Sequence, residues 1–353
     1  ASGCGEEAKP DPVDVASPGM YKVGIRESTI TYQPKGLNES RTIGVVVWYP
    51  AQEEGRQGVV FGDATVDAPL IETSDFPLLV YSHGTTSFAE CAYGLMEHFA
   101  SHGFVVASAH HFGDTTENVG EARTTEMFIK RPQDISATID WLYALPSSDP
   151  LGGKISDRVI LAGHSYGGFN SLATVGAKYS DEAIGECETS REGQFCSTMK
   201  PEFADIFREG FNDTRIKAVM PMAAGNSELL GPSGVSKITI PILHMTASLD
   251  GNSPNETDGD PYWAAMNAAG SFRVNYDRGG HHSYILTCEV LPSVGDENGG
   301  GCSDDFTDYQ VLLSATNTYA LAFARYHLFE DEQMLPILEG ERSKYDEVTT
   351  SWK

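Results

Sequence analysis

"LAGHSYGGFN", residues 161–170, opens on the end of the apolar run Val159-Ile160-Leu161-Ala162. Three glycines within six residues would each cost roughly 1 kcal/mol against alanine inside a helix. The backbone at this point therefore answers to something other than helix propensity. Gly163-His164-Ser165-Tyr166-Gly167 fits the pattern G-x-S-x-G, with an apolar strand before it and a helical sequence, "YGGFNSLATVGAKY", after it. A serine on so sharp a strand-to-helix turn needs small residues two before and two after it. Gly163 and Gly167 supply that clearance, and Gly168 lets the helix pack close to the next strand. The helix N-terminus would aim its free N–H groups at the same place. Ser165 is the candidate nucleophile, and a hydroxyl alone is too weak to serve without a base and an orienting acid.

In this strand–turn–helix context the partners are expected later in the chain, first an acid and then a histidine, each just past a strand. "PILHMTASLDG" supplies Asp250, and "FRVNYDRGGHHSY" supplies His281 and His282. A calcium loop is the competing reading of Asp250, given Asn252, Asn255, Asp258 and Asp260 nearby, although the spacing is not that of an EF-hand. Of the two adjacent histidines only one can reach Ser165. His281, which follows Gly280 directly, is preferred as base, with His282 left as a wall residue. Oxyanion donors are expected from the N–H groups of Tyr166 and Thr85, the latter in the loop "SHGTTS" after the strand "PLLVY". His83, Thr86, His111, Phe112, Tyr166 and His282 are expected to line the substrate pocket.

Outward from this centre, strands and helices alternate. "GIRESTITYQ" and "RTIGVVVWYPA" read as an antiparallel pair joined around residues 35–38. "FPLLVYSHG", "FVVASAH", "DRVILAGHS", "IKAVMPMAAG", "ITIPILHMTASLD" and "SFRVNYDRGGHH" read as strands. "SFAECAYGLMEHFASHG", "RPQDISATIDWLYAL" (Pro132 at its start) and "DYQVLLSATNTYALAFARYHLF" read as helices. Continuous apolar strands between helices predict an α/β fold, a mostly parallel sheet covered on both faces. The expected organisation is a flexible leader over 1–20 and one α/β domain over 21–353. Residues 177–214 break the rhythm and read as a polar, lid-like insertion.

The chain has 353 residues and a formal net charge of −26. Nucleic acid and anionic membranes are thus poor partners, since both are bound through clustered Lys and Arg. Six cysteines include no C-x-x-C pair. Cys187 with Cys196, and Cys288 with Cys302, read as local disulfides worth roughly 2–3 kcal/mol each through loop closure, which implies an oxidising compartment. Cys91 reads as a buried thiol. "ASGC" before a polar tract looks like the end of a bacterial lipoprotein signal, with Cys4 as a possible lipid-bearing tether. No stretch is apolar enough to span a bilayer. The chain is therefore expected to be exported: periplasmic, anchored to the outer membrane, or extracellular.

"RTIGVVVWYP", "PLLVYSHGTTS", "FVVASAHHFGDT", "RPQDISATIDWL", "GHSYGGF" and "PILHMTASLDG", in this order, resemble the bacterial α/β-hydrolases known as predicted dienelactone hydrolases, a group akin to the plasma-type platelet-activating factor acetylhydrolases. The resemblance covers roughly residues 21–330. It implies an α/β-hydrolase fold and a serine carboxylesterase needing no cofactor and no metal. By position it assigns Ser165 as nucleophile, Asp250 as acid and His281 as base, with Thr85 and Tyr166 as oxyanion donors. His281-His282-Ser283-Tyr284 is similar to the group's H-[aromatic]-S-[aromatic] tail, which favours His281. True dienelactone hydrolases carry a cysteine where Ser165 stands, so that label does not name the substrate. Lipases, phospholipid hydrolases and polyester hydrolases share these parts. A surface-binding protein that kept the fold without the chemistry is the reading from another class.

Overall fold

The computed structural model describes residues 13–59, 61–122, 124–189, 203–291 and 295–353. At its centre runs β4 (Phe76–Ser82), all seven residues of which are buried. It lies parallel to β5 (Val105–Ala109) on one side and to β6 (Ile155–His164) on the other. Beyond β5 come β2 (Arg41–Ala51), β1 (Lys22–Tyr32) and the two-residue β3 (Thr65–Val66). Beyond β6 come β7 (Ile216–Met222), β8 (Leu243–Ala247), β9 (Phe272–Tyr276) and β10 (Val348–Trp352). The strand order is β10-β9-β8-β7-β6-β4-β5-β2-β1-β3. β4 through β9 run parallel to their neighbours, whereas β1 with β2, β2 with β5, and β9 with β10 are antiparallel.

Side chains alternate across the sheet and feed two cores. Leu78, Val80, Val159 and Leu161 point to one face, where α2 (Thr125–Tyr143) and α3 (Tyr166–Thr174) pack. Leu79, Tyr81, Ile160 and Ala162 point to the other, beneath α1 (Tyr93–Ser101) and the long closing helix Tyr309–Phe329. This explains the uninterrupted apolar runs: strands buried on both faces have no polar side to show.

The chain enters β4, crosses to β5 on one side, then returns to β6 on the other. The connections leaving β4 and β6 therefore diverge, and they leave a crevice at the strands' carboxyl ends. Shorter helices frame it, α4 (Asp181–Thr189), α6 (Ser227–Val235), α7 (Asp260–Ala265) and α8 (Thr287–Val290), with α5 (Ala204–Glu209) packed against α4. The closing helix is α9.

Several local expectations shift. α2 begins at Thr125, so Pro132 lies inside it rather than at its start. Proline cannot donate to the carbonyl of Phe128, and the Tyr179 hydroxyl reaches that carbonyl instead at 3.5 Å. α1 begins only at Tyr93, and β10 carries no strong sequence signal. Residues 13–20, expected in the flexible leader, pack against α1: Val15 is buried, its carbonyl meets His98 Nε2 at 3.0 Å, and Gly19 N–H donates to Ser101 Oγ. Cys4 lies outside the described residues. The insertion contains α4 and α5, while residues 190–202 lie outside the description.

Candidate active site

Ser165 sits between β6 and α3 with φ 55° and ψ −120°, a left-handed conformation that costs a non-glycine residue about 1–3 kcal/mol. Its own N–H donates to the Met222 carbonyl at 2.8 Å, which fixes the turn to the neighbouring strand. A Cβ on Gly163 would approach the Gly167 carbonyl oxygen to 2.3 Å, and one on Gly167 would meet the Ser82 carbonyl oxygen at 1.9 Å. The two glycines are thus required by close approach, as the motif implied. Tyr166 is the first residue of α3, where N–H groups have no intrahelical acceptor.

Asp250 follows β8 and His281 follows β9, so parallel strands bring both to the Ser165 end of the sheet. His281 Nε2 lies 2.9 Å from Ser165 Oγ, and its Nδ1 lies 2.9 and 3.0 Å from the two Asp250 oxygens. Asp250 Oδ1 also accepts the N–H groups of Asn252 and Ser253, both at 2.8 Å. The backbone of the histidine loop is pinned as well. His281 N–H donates to Gly299 O and His282 N–H to Gly300 O, on a loop that the Cys288–Cys302 disulfide ties down. Cys187 is disulfide-bonded, and its expected partner Cys196 lies outside the described residues. Cys91 is a buried free thiol, pushed up to about 11 by that burial.

Among the described residues His282 Nδ1 has no hydrogen-bond partner, and burial, then the neighbouring His281, push its pKa down to about 4. His164 donates from Nε2 to the His281 carbonyl at 2.7 Å. Burial, followed by the two imidazoles beside it, holds its pKa well below the usual value, so it stays neutral. The sequence pattern gives the residue before the serine no role, so this contact was not foreseen.

Ser165 opens on a cleft of about 1430 Å³. Thr85, Thr86, Tyr166 and His282 line it, as expected. His83, His111 and Phe112 do not. His83 and His111 are fully buried behind the β4 loop, where His83 Nε2 accepts the His111 N–H. Phe112 points outward and is 55% exposed. Loop position alone cannot tell the front of a loop from its back. Further cleft walls come from α4, within the expected lid-like insertion, and from α6 and the 297–298 turn, which the sequence did not mark. Glu182, Glu228 and Glu297 stand in these walls with Asp181 and Glu186, and no lysine or arginine does so among the described residues.

The acidic segment after Asp250 has other engagements than calcium. Asp258 accepts the Ser227 N–H, Asp260 pairs with Arg273, and Asn255 bonds Asn275 and Arg273. Among the described residues no three His, Cys, Asp or Glu side chains cluster as metal ligands.

A solved ferulic acid esterase from Streptomyces cinnamoneus superposes with a TM-score of 0.67 at 18% identity, covering 95% of this chain and 98% of its own. The fold is that of the α/β-hydrolases. A model of the family "Platelet-activating factor acetylhydrolase, isoform II" matches residues 54–144, from the end of β2 through α2. A platelet-activating factor acetylhydrolase from Cavia porcellus is 23% identical over 156 residues, which is 33% of this chain and 36% of that protein. The chain is thus similar to the platelet-activating factor acetylhydrolases. The match spans about a third of the relative's length.

Proposed function

We propose that this protein is an exported serine hydrolase that cleaves carboxylic esters through Ser165, His281 and Asp250. The observation that carries the proposal is the 2.9 Å approach of His281 Nε2 to Ser165 Oγ, at the floor of an open cleft, with Asp250 on the opposite ring nitrogen. Asp250 accepts a hydrogen bond from Nδ1–H, which keeps the proton on Nδ1 and leaves Nε2 with a lone pair facing the hydroxyl. His281 takes the proton as Ser165 Oγ attacks the acyl carbon. The N–H groups of Thr85 and Tyr166 receive the oxyanion. Collapse breaks the bond to the alcohol, which leaves with the proton from His281. Water, deprotonated by the same imidazole, then attacks the acyl-enzyme and releases the carboxylic acid.

The cleft chemistry bears on the substrate. Five carboxylates in the described walls favour neutral or cationic esters and repel the acid product. The polar composition of α4 suits water-soluble esters with short acyl groups better than long-chain lipids. The Cys288–Cys302 bond supports an oxidising compartment, and no described helix is long and apolar enough to cross a membrane.

Hydrolysis of p-nitrophenyl esters from acetate to palmitate, with Ser165→Ala alongside, tests the proposal. Activity on acetate and butyrate that vanishes in the variant is expected. A maximum at palmitate would make the enzyme a lipase, and equal rates for both proteins would remove Ser165 from the chemistry.

A further inference from the structure

Thr85 sits between two backbone groups that one buried ion pair holds. On its N-terminal side, the Arg131 guanidinium donates through Nη2 to the carbonyl of His83 and, at 3.2 Å, to Ser82 Oγ. Through Nη1 the same guanidinium reaches Asp114 Oδ2 at 2.8 Å. On the C-terminal side, the other Asp114 oxygen accepts the N–H of Thr86 at 2.8 Å. Arg131 and Asp114 are both 0% exposed and neither touches the cleft. Thr86 has φ 52°, a left-handed conformation that needs outside support. Thr116 adds to that support, its hydroxyl donating to the Thr86 carbonyl at 3.0 Å and its N–H to Ser87 O.

The arrangement selects an amide. Asp114 occupies the Thr86 N–H and so removes it from the cleft that Thr85, one residue earlier, lines. Arg131 also lies over the ring of Tyr166, 4.6 Å from its centroid. One guanidinium therefore touches the loop that carries one proposed oxyanion donor and the residue that carries the other. A buried ion pair is weak as a source of net stability, because desolvation offsets most of its attraction. Bonds from such a pair to both sides of a functional amide fix position instead, and an ångström of misplacement costs about 10²-fold in rate.

We propose that Arg131 and Asp114 are positioning residues for the oxyanion site, clamping the Thr85 amide against the Tyr166 amide. The inference rests on the serine-hydrolase reading.

The test compares wild type with Asp114→Asn and Arg131→Lys, measuring kcat and KM on p-nitrophenyl butyrate, the inhibition constant of phenylboronic acid, and Tm. An asparagine that accepts from Thr86 turns its NH2 toward Arg131, and lysine cannot bond Asp114 and His83 together. The expected result is a kcat lower by about 10–100-fold at a KM within about threefold. Phenylboronic acid, whose serine adduct mimics the tetrahedral intermediate, should weaken in proportion to kcat. Wild-type kcat and boronate affinity in folded variants of lower Tm would reduce the pair to a structural role and overturn the inference. Where a variant fails to fold, Thr116→Val, which removes only the bond to the Thr86 carbonyl, takes its place. A kcat loss of about threefold is expected there, and an unchanged kcat would overturn the inference. Ser165→Ala isolates the other failure: if it matches wild type, the serine reading falls and takes the clamp with it.

Discussion

Ser82, His111 and Asp134 repeat the serine–imidazole–carboxylate chain of Ser165, His281 and Asp250. Ser82 Oγ lies 2.9 Å from His111 Nε2, and His111 Nδ1 lies 2.8 Å from Asp134. The surroundings differ in every respect that matters to chemistry. All three residues of this inner set are 0% exposed. Ser82 ends a regular strand, and its oxygen already accepts from Arg131. Asp134 is bound by Arg41 at 2.6 and 2.8 Å and by the Tyr32 hydroxyl. Although burial alone would raise the Asp134 carboxyl, Arg41 and His111 hold it down at about 2. Burial, then Arg131, pushes His111 to about 3, so the imidazole stays neutral. The outer set stands on loops beyond β6, β8 and β9, and its serine faces an open cleft. The same three side chains thus tie strands to a helix in one place and, in the proposed function, do acyl transfer in the other. Access and a strained turn make the difference, not the hydrogen bonds.

The largest effect should come from exchanging the two serines. Ser165→Ala is expected to lower kcat on p-nitrophenyl butyrate by about 10⁴-fold or more. Ser82→Ala should leave kcat within a few-fold while lowering stability by about 1–3 kcal/mol in urea melts, because Arg131 and His111 lose a buried partner. Deep loss of activity in Ser82→Ala with wild-type stability would break the contrast.

The carboxylates come next. Asp250→Asn should cost about 10⁴-fold in kcat with little change in Tm. Asp134→Asn should instead destabilise by about 3–5 kcal/mol, since it leaves the Arg41 charge buried without its partner.

His111 of the inner set contributes to the pH dependence of stability alongside His83, His98, His164, His244 and His282, which burial likewise holds neutral. A histidine held near 3 in the fold but near 6.5 when unfolded takes its proton first in the unfolded chain. Stability therefore falls as pH drops from about 6.5 toward 3, by up to about 1.4 kcal/mol per pH unit for one proton. Asp134, with its pKa lowered from 3.8 to about 2, adds stability that is lost as pH falls through that lower range. His111→Gln should shallow the slope of ΔG against pH between 4 and 6 by about one proton. An unchanged slope would mean that another histidine governs acid unfolding.

The smallest effect sharpens the outer set. Cys288→Ser with Cys302→Ser should lower kcat several-fold, because the His281 loop hangs from Gly299 and Gly300 on the stapled segment. The inner set shares no loop with that disulfide, so the Asp134 region should keep its protection against hydrogen exchange.

The serine turn, the two-faced burial of the strands, and the positions of Asp250 and His281 past β8 and β9 could all be read from the chain. Each is a local consequence of spacing: glycines at ±2, unbroken apolar runs, polar residues where those runs end. The sequence already favours His281 over its neighbour, and tertiary structure brings it, not His282, to 2.9 Å from Ser165 Oγ, a choice that depends on the direction each loop residue points. Tertiary structure also moved His83 and His111 from the expected pocket wall to the interior. Both sit in the right loops, yet Asp134 and Ser82, distant in sequence, hold the His111 ring inside, and the His83 ring in turn accepts the His111 N–H. Direction within a loop depends on partners supplied from elsewhere in the chain, and residue spacing does not record it.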